Sequence, residues 1–143
     1  MALPKIIQFP LGLTENLQYH YTKVNVSSAE ILALNSTPVT LVAAPGAGYV
    51  LMPINAIAKL NFGTIAYDGT NDDPVIKNQG DGGYSIVFSS LLSEIADKIM
   101  FQPLGNSTVA RTANTALVLT EDVDPTLGDG NLDIYLWYIK LLL

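Results

Sequence analysis

From Val50 to Phe62 the chain places an apolar residue at every second position: Val50, Met52, Ile54, Ala56, Ala58, Leu60 and Phe62. Tyr49, Pro53, Asn55, Lys59 and Asn61 fall on the alternate positions. A period of two is the spacing of a β-strand, whose successive side chains point to opposite faces, so the pattern predicts one long strand with one face inward. Pro53 has no N–H to give to a ladder. It puts this strand at an edge or puts a bulge at its middle.

The residues just before it support the same class. Ser27 with Glu30 three positions on fits a capping box, predicting a turn of helix over Ser28 to Leu34. Val39, Thr40 and Val42 then favour a pleated strand that Pro38 can only begin, and Pro45-Gly46-Ala47-Gly48 ends it in a tight turn. Further strands are predicted at Tyr19 to Val26, Val75 to Lys77, Tyr84 to Ser89, Lys98 to Gln102, Leu117 to Thr120 and Leu132 to Leu142, most of them separated by Gly, Asn or Asp turns. Residues 89–99 read either as a brief helix, with Ser90 as cap and Leu91, Leu92, Ile95 and Ile99 on one side, or as a strand. Short strands at this spacing describe an all-β chain, a single β-sandwich or jelly roll with one or two helical turns. Residues 1–15 read as an extended N-terminal arm and residues 16–143 as the sandwich domain.

The closing strand, NLDIYLWYIKLLL, is apolar on both faces: Leu132, Ile134, Leu136 and Tyr138 on one, Tyr135, Trp137, Ile139 and Leu141 on the other. Either it is a central strand covered on both sides, or its second face lines a subunit interface. Tyr and Trp, with large apolar bodies and polar tips, favour the interface. The final leucines also call for cover. In the arm, Ile6, Ile7, Phe9, Leu11 and Leu13 are apolar enough to add to a neighbour's groove or sheet edge, or to fold onto their own domain.

Composition argues for partners. Apolar residues make up 49% of the chain, mean hydropathy is +0.32, and only 14% of residues are charged, against roughly 25% in soluble domains. So few charges leave apolar surface to be covered by neighbours, which predicts an obligate oligomer. No stretch approaches the roughly 20 apolar residues of a membrane span, and MALPKIIQFPLGL lacks the features of a secretory signal. With a pI near 4.4 and scattered lysines, no basic stripe exists to neutralise phosphates, which argues against nucleic-acid binding.

Reactive constellations are sparse. The one histidine, His20, has no second histidine or cysteine for a metal cage or a nucleophile pair, and reads as a strand residue. Ser36 and Ser107 sit in turn-like NST tripeptides outside any G-x-S-x-G elbow. Carboxylates cluster in YDGTNDDP, in QGDGG and in EDVDPTLGDG, where calcium is conceivable, but none has EF-hand spacing and solvated loops are the expected reading. PGAG, GDGG and GDG lack the G-K-[ST] of a phosphate loop and read as turns. No cofactor is expected.

The run VSSAEILALNSTPVTLVAAPGAGYV, with NFGTIAYDG at 61–69 and GDGNLDIYLWY at 128–138, resembles a family of small tailed-phage virion structural proteins. The likeness covers most of the chain after about Val24 and rests on packing and turn residues: PVTLVAAPGAG, FGT-x-AY and GDG-NL. It implies a non-enzymatic role on a virion made in a bacterial cytoplasm: a capsid decoration, cement or head-fibre protein, trimeric like similar virion proteins, contacting itself and the major capsid or other virion proteins. A different expectation is a receptor- or glycan-binding head that uses Tyr67, Tyr84 and the acidic loops. A weaker one is a virion-borne hydrolase dependent on Asp122 or Asp124.

Overall fold

The computed structural model describes residues 17–68, 73–83, 85–105 and 111–143. Within them the chain runs β1 (Leu17–Val26), α1 (Ser28–Ile31), β2 (Val39–Val42), β3 (Tyr49–Asn61), β4 (Val75–Asn78), β5 (Ile86–Val87), β6 (Lys98–Pro103), β7 (Leu117–Thr120) and β8 (Asn131–Leu142). These strands form two four-stranded sheets, ordered β1-β8-β3-β6 and β2-β7-β4-β5, with every pairing antiparallel. The predicted all-β sandwich is therefore the fold. The arm, with Ile6, Ile7, Phe9 and Leu11, lies outside the described residues, as do Tyr84 and Ser107.

Both sheets feed one core. Val26 of β1, Ala56, Ala58 and Leu60 of β3, and Leu132, Ile134 and Leu136 of β8 pack toward Leu117 and Leu119 of β7, Ile76 of β4, Ile86 of β5 and Phe88. Alternation along β8 and the later half of β3 produces this directly. Each fully buried Leu or Ile there contributes about 1.5–3 kcal/mol of transfer free energy.

In β3 the phase of the pattern changes partway. A register shift between Pro53 and Asn55 inserts a bulge, so Leu51 and Pro53 are buried before it and Ala56, Ala58 and Leu60 after it. Met52 and Ile54, expected inward, are only half-buried. β6 pairs with β3 only from Asn55 to Leu60, so Pro53 stands where β3 has a partner on one side alone. The proline thus meets a bulge and an open edge together.

α1 carries the predicted capping box: the Ser27 N–H donates to Glu30 Oε2 at 2.8 Å, and the Glu30 N–H donates to Ser27 Oγ at 3.4 Å. The helix ends at Ile31, short of the expected Leu34. From Ala33 the backbone switches to tighter turns, with the Ala33 and Leu34 N–H groups donating to Glu30 and Ile31 carbonyls at 3.2 Å, and Asp124 from a distant loop then accepts the Asn35 and Ser36 N–H groups at 2.6 and 3.1 Å. Gly46 and Gly48 take φ of 101° and 79°, the conformations that end β2 and start β3.

Residues 89–97 form neither the helix nor the strand expected of them. Ser90 has φ of 57°, incompatible with an N-cap, and its N–H donates to Asp73 Oδ1 at 2.5 Å. Leu91 and Leu92 are both fully buried, while Ile95 is exposed and Ile99 joins β6. One carboxylate outside the segment redirects it.

Replacing Leu119 or Ile134 with Ala should lower unfolding free energy by about 2–5 kcal/mol, whereas Ile95→Ala, at an exposed site, should stay within about 0.5 kcal/mol. Urea denaturation followed by tryptophan fluorescence measures both. Equal losses at the two kinds of site would overturn this assignment of the core.

Candidate interaction surface

The sheet β1-β8-β3-β6 has one face on the core and a second face that carries several exposed large side chains. Cross-strand register defines its rows: Tyr19, Ile139 and Met52; Tyr21, Trp137, Asn55 and Pro103; Lys23, Tyr135, Ile57 and Phe101; Asn25, Asp133, Lys59 and Ile99. Four strands at about 4.8 Å spacing make a platform about 15 Å across. Tyr19, Tyr21, Phe101 and Ile99 are 67, 53, 58 and 65% exposed. Four large apolar side chains so exposed on one sheet face form a patch, unlike isolated surface hydrophobes.

Local contacts tie neighbouring side chains of the platform together. Tyr21 and Trp137 rings lie 5.1 Å apart at 44°, and Lys23 Nζ sits 5.1 Å from the Tyr135 ring centroid. One end is polar. Asp133 accepts from Asn25 Nδ2 and Asn61 Nδ2, each at 3.1 Å, and Lys23 Nζ approaches it to 3.7 Å. The two amides, with Lys23 and Lys59, hold its carboxyl below the usual carboxylate range.

Of the residues singled out in the sequence, Tyr135, Trp137, Ile139 and Leu141 do share this open face and are half-buried by their neighbours along the sheet. β8 is central, between β1 and β3; its inward residues Leu132, Ile134 and Leu136 are buried and its alternate residues are half-buried. Leu142 and Leu143 are 39% and 72% exposed, so the chain itself gives them little cover. Sequence reasoning missed Tyr19, Tyr21, Ile57, Ile99 and Phe101 as members of the patch. The alternations Tyr19-x-Tyr21 and Ile99-x-Phe101 carried the signal, but only the register brings them beside Trp137 and Tyr135.

Elsewhere the reactive groups have structural partners. His20 stacks on Tyr138 at 5.1 Å and 15°, and its Nε2 has no hydrogen-bond partner among the described residues. Tyr67, expected as an exposed sugar contact, is instead buried; its hydroxyl donates to the Gly130 carbonyl at 2.5 Å, and desolvation with nearby Asp129 pushes its pKa to about 12. A cavity of about 400 Å³ beside β4 and β7 is lined by Lys77, Glu121 and Asp122 among others, and each of those three is already engaged within the chain.

The acidic loops do specific structural work rather than lying free in solvent. Asp129 accepts the N–H groups of Thr64 and Ile65 at 2.7 and 2.8 Å, and the Thr64 hydroxyl at 2.6 Å. Asp68 accepts the N–H groups of Thr126 and Leu127 at 2.7 and 2.6 Å, and Asp124 those of Asn35 and Ser36. Hydrogen bonds from Thr126, Ser36 and Thr64, with those N–H groups, hold all three carboxyls below the ordinary value of 3.8. Their lone pairs are spent on backbone donors. Among the described residues no three His, Asp or Glu side chains are grouped as metal ligands.

No protein-family model matches this sequence, and no curated protein matches it significantly. Among solved structures, the chain is similar to one in the cyanophage Pam1 capsid asymmetric unit, at 13% identity, 97% coverage of this chain, 91% of that chain and a TM-score of 0.48. It is also similar to one in the capsid of Ralstonia phage GP4, at 10% identity, 94% and 90% coverage, and a TM-score of 0.45. At these identities the likeness carries no function across.

Because the folded values for Asp68, Asp124 and Asp129 lie below 3.8, their stabilisation is present above that pH and is lost as pH falls through the lowered values. Urea midpoints should therefore drop as pH is lowered from 5 to below about 3. Asp129→Asn should be less stable at neutral pH and lose less on acidification. An unchanged midpoint at pH 3 would contradict the role given to these carboxylates.

Proposed function

We propose that this chain is a structural protein of a tailed-phage virion, an oligomeric capsid decoration, cement or head-fibre component that stabilises the particle through subunit contacts and catalyses no reaction. The observation that carries the reading is the uncovered aromatic face of the first sheet, with Tyr19, Tyr21, Phe101 and Ile99 exposed beside Trp137 and Tyr135. Such a patch is what an interface core needs: aromatic anchors with a polar rim, here supplied by Asn25, Lys59 and Asp133.

Other observations agree with it. The strand order β1-β8-β3-β6 facing β2-β7-β4-β5 interleaves the chain as an eight-stranded jelly roll does, an architecture common in viral capsid domains and in lectins. Fold alone does not choose between those uses. The low charge content and the likeness of PVTLVAAPGAG, FGT-x-AY and GDG-NL to small virion proteins favour the first. In this reading Tyr135, Trp137, Ile139 and Leu141 lie at the subunit contact, and Ile6, Ile7, Phe9 and Leu11 of the arm add a second apolar contact to a neighbour. A trimer is the expected assembly, with the major capsid or another virion protein as the further partner.

Light scattering coupled to size exclusion should give a multiple of the 15.3 kDa chain mass, three for the trimer. Trp137→Ser combined with Tyr21→Ser should shift the protein to monomer with its circular dichroism unchanged. A wild-type monomer at low micromolar concentration would overturn the interface. Absence of the chain from purified phage particles, by mass spectrometry, would overturn the virion role.

A further inference from the structure

Among the described residues β6 is an edge strand, paired with β3 alone. The register shows which of its backbone groups face outward. The Leu104 N–H donates to the Ile54 carbonyl at 2.7 Å, continuing the pairing of Pro103 with Asn55. Bonding alternates along an antiparallel ladder, so Gln102, Met100 and Lys98 bond to β3, while Ile99, Phe101 and Pro103 turn their backbone groups to the open side. Pro103 fits this assignment, because a missing N–H belongs on the unpaired side of an edge strand. All three residues are exposed, and their side chains lie on the same sheet face as Tyr135 and Trp137. The free edge thus offers two N–H groups and three carbonyls beside apolar side chains.

The arm carries a matching pattern. Ile7, Phe9, Leu11 and Leu13 alternate with Gln8, Pro10 and Gly12, the period of a strand. In an extended strand, residues of one parity share both a side-chain face and a direction for their backbone groups. Pro10 has no N–H, so a ladder forms best on the side of the odd-numbered residues, which are the apolar ones.

We propose that residues 7–13 of a neighbouring copy add to the free edge of β6 as a fifth strand of the first sheet. The odd-numbered residues bond to Ile99 and Phe101, and their side chains widen the open face beyond those two. This deepens the arm contact of the proposed assembly, on which it rests, by naming the edge, the face and the parity.

Reach makes the contact intermolecular. Leu17 lies on the row of Leu141, three strands across and six residues along from Phe101, a span of about 25 Å. Leu11 is six residues from Leu17 and covers about 20 Å fully extended. Neither it nor Leu13 reaches Phe101 of its own chain. The edge of β1 in the same chain is within reach by a hairpin through Thr14-Glu15-Asn16, but that turn has no glycine. The residues met there include Lys23, held 3.7 Å from Asp133, whereas β6 presents apolar partners. An arm given to one neighbour and an edge lent to another make a head-to-tail contact, which closes into a ring when the rotation between copies allows.

Cysteine pairs test this, because the chain has no cysteine of its own. Phe101→Cys is combined in one full-length chain with Ile7→Cys, Phe9→Cys or Leu11→Cys, or with Gln8→Cys or Gly12→Cys, and each protein is oxidised. Thermal melts check folding, and Ile99→Cys replaces Phe101→Cys if the latter fails to fold. On non-reducing denaturing gels at least one odd-numbered partner should link most chains into multiples of 15.3 kDa. The even-numbered partners should leave single chains, because their side chains point away from Phe101. Equal linkage of both sets, or linkage of neither while wild type is oligomeric by light scattering, overturns the proposal and leaves the interface reading standing. So does an internal disulfide in Phe9→Cys/Tyr21→Cys, which places the arm on its own β1. A monomeric wild type overturns both.

Discussion

Two packed sheets have four faces, and only two of them can be buried against each other. The rest of this structure follows from how it treats the remaining two. In the second sheet all four residues of β7 are buried, Val118 and Thr120 as well as Leu117 and Leu119. In the first sheet the corresponding outer face holds Tyr21 and Phe101, both exposed, beside the half-buried Trp137 and Tyr135. A sheet face this apolar is stable in water only at a cost, and that cost is removed by a partner. In the proposed assembly, folding and association draw on the same strands: β8 gives Leu132, Ile134 and Leu136 to the core and the alternate residues to the surface.

Carboxylates supply the second organising element. With few charges in the chain, the placement of each one matters. Asp68, Asp73, Asp124 and Asp129 each accept backbone N–H groups from a loop distant in sequence. Side-chain acceptors of this kind satisfy donors that no ladder reaches. They also explain why acidic residues gather in the connections between strands without any metal-ligand spacing.

Much of the fold was readable in the sequence, because it rests on local signals. The capping box of Ser27 and Glu30, the turn at Gly46 and Gly48, the short β7 and the two-faced β8 all lie where period and turn chemistry place them. The misreadings share one cause, a distant partner that overrides a local preference. Asp124 holds the turn at Asn35 and Ser36 where a longer helix was expected nearby, Asp73 accepts the N–H of Ser90 in its left-handed conformation, and Gly130 accepts the Tyr67 hydroxyl inside. The bulge after Pro53 was foreseen, but its effect on the phase of Leu51 against Met52 was not. The open sheet face was half readable: alternation gave Tyr135, Trp137, Ile139 and Leu141, while Tyr19, Tyr21, Ile99 and Phe101 needed the pairing of β1 and β6 into the same sheet.

The order in which the strands are made has a bearing on when this surface can exist. β8 is the last of the eight in sequence, and it lies between β1 and β3, near the first. A ribosome that has delivered β1 to β7 has therefore produced a first sheet split down its middle, with the edges of β1 and β3 facing an empty lane. Trp137 and Tyr135 have not been synthesised, and Tyr21 and Phe101 belong to strands not yet joined. Non-local pairing of this kind folds late. In the proposed assembly the same delay acts as a timer, because the surface is complete only once β8 has slotted between β1 and β3.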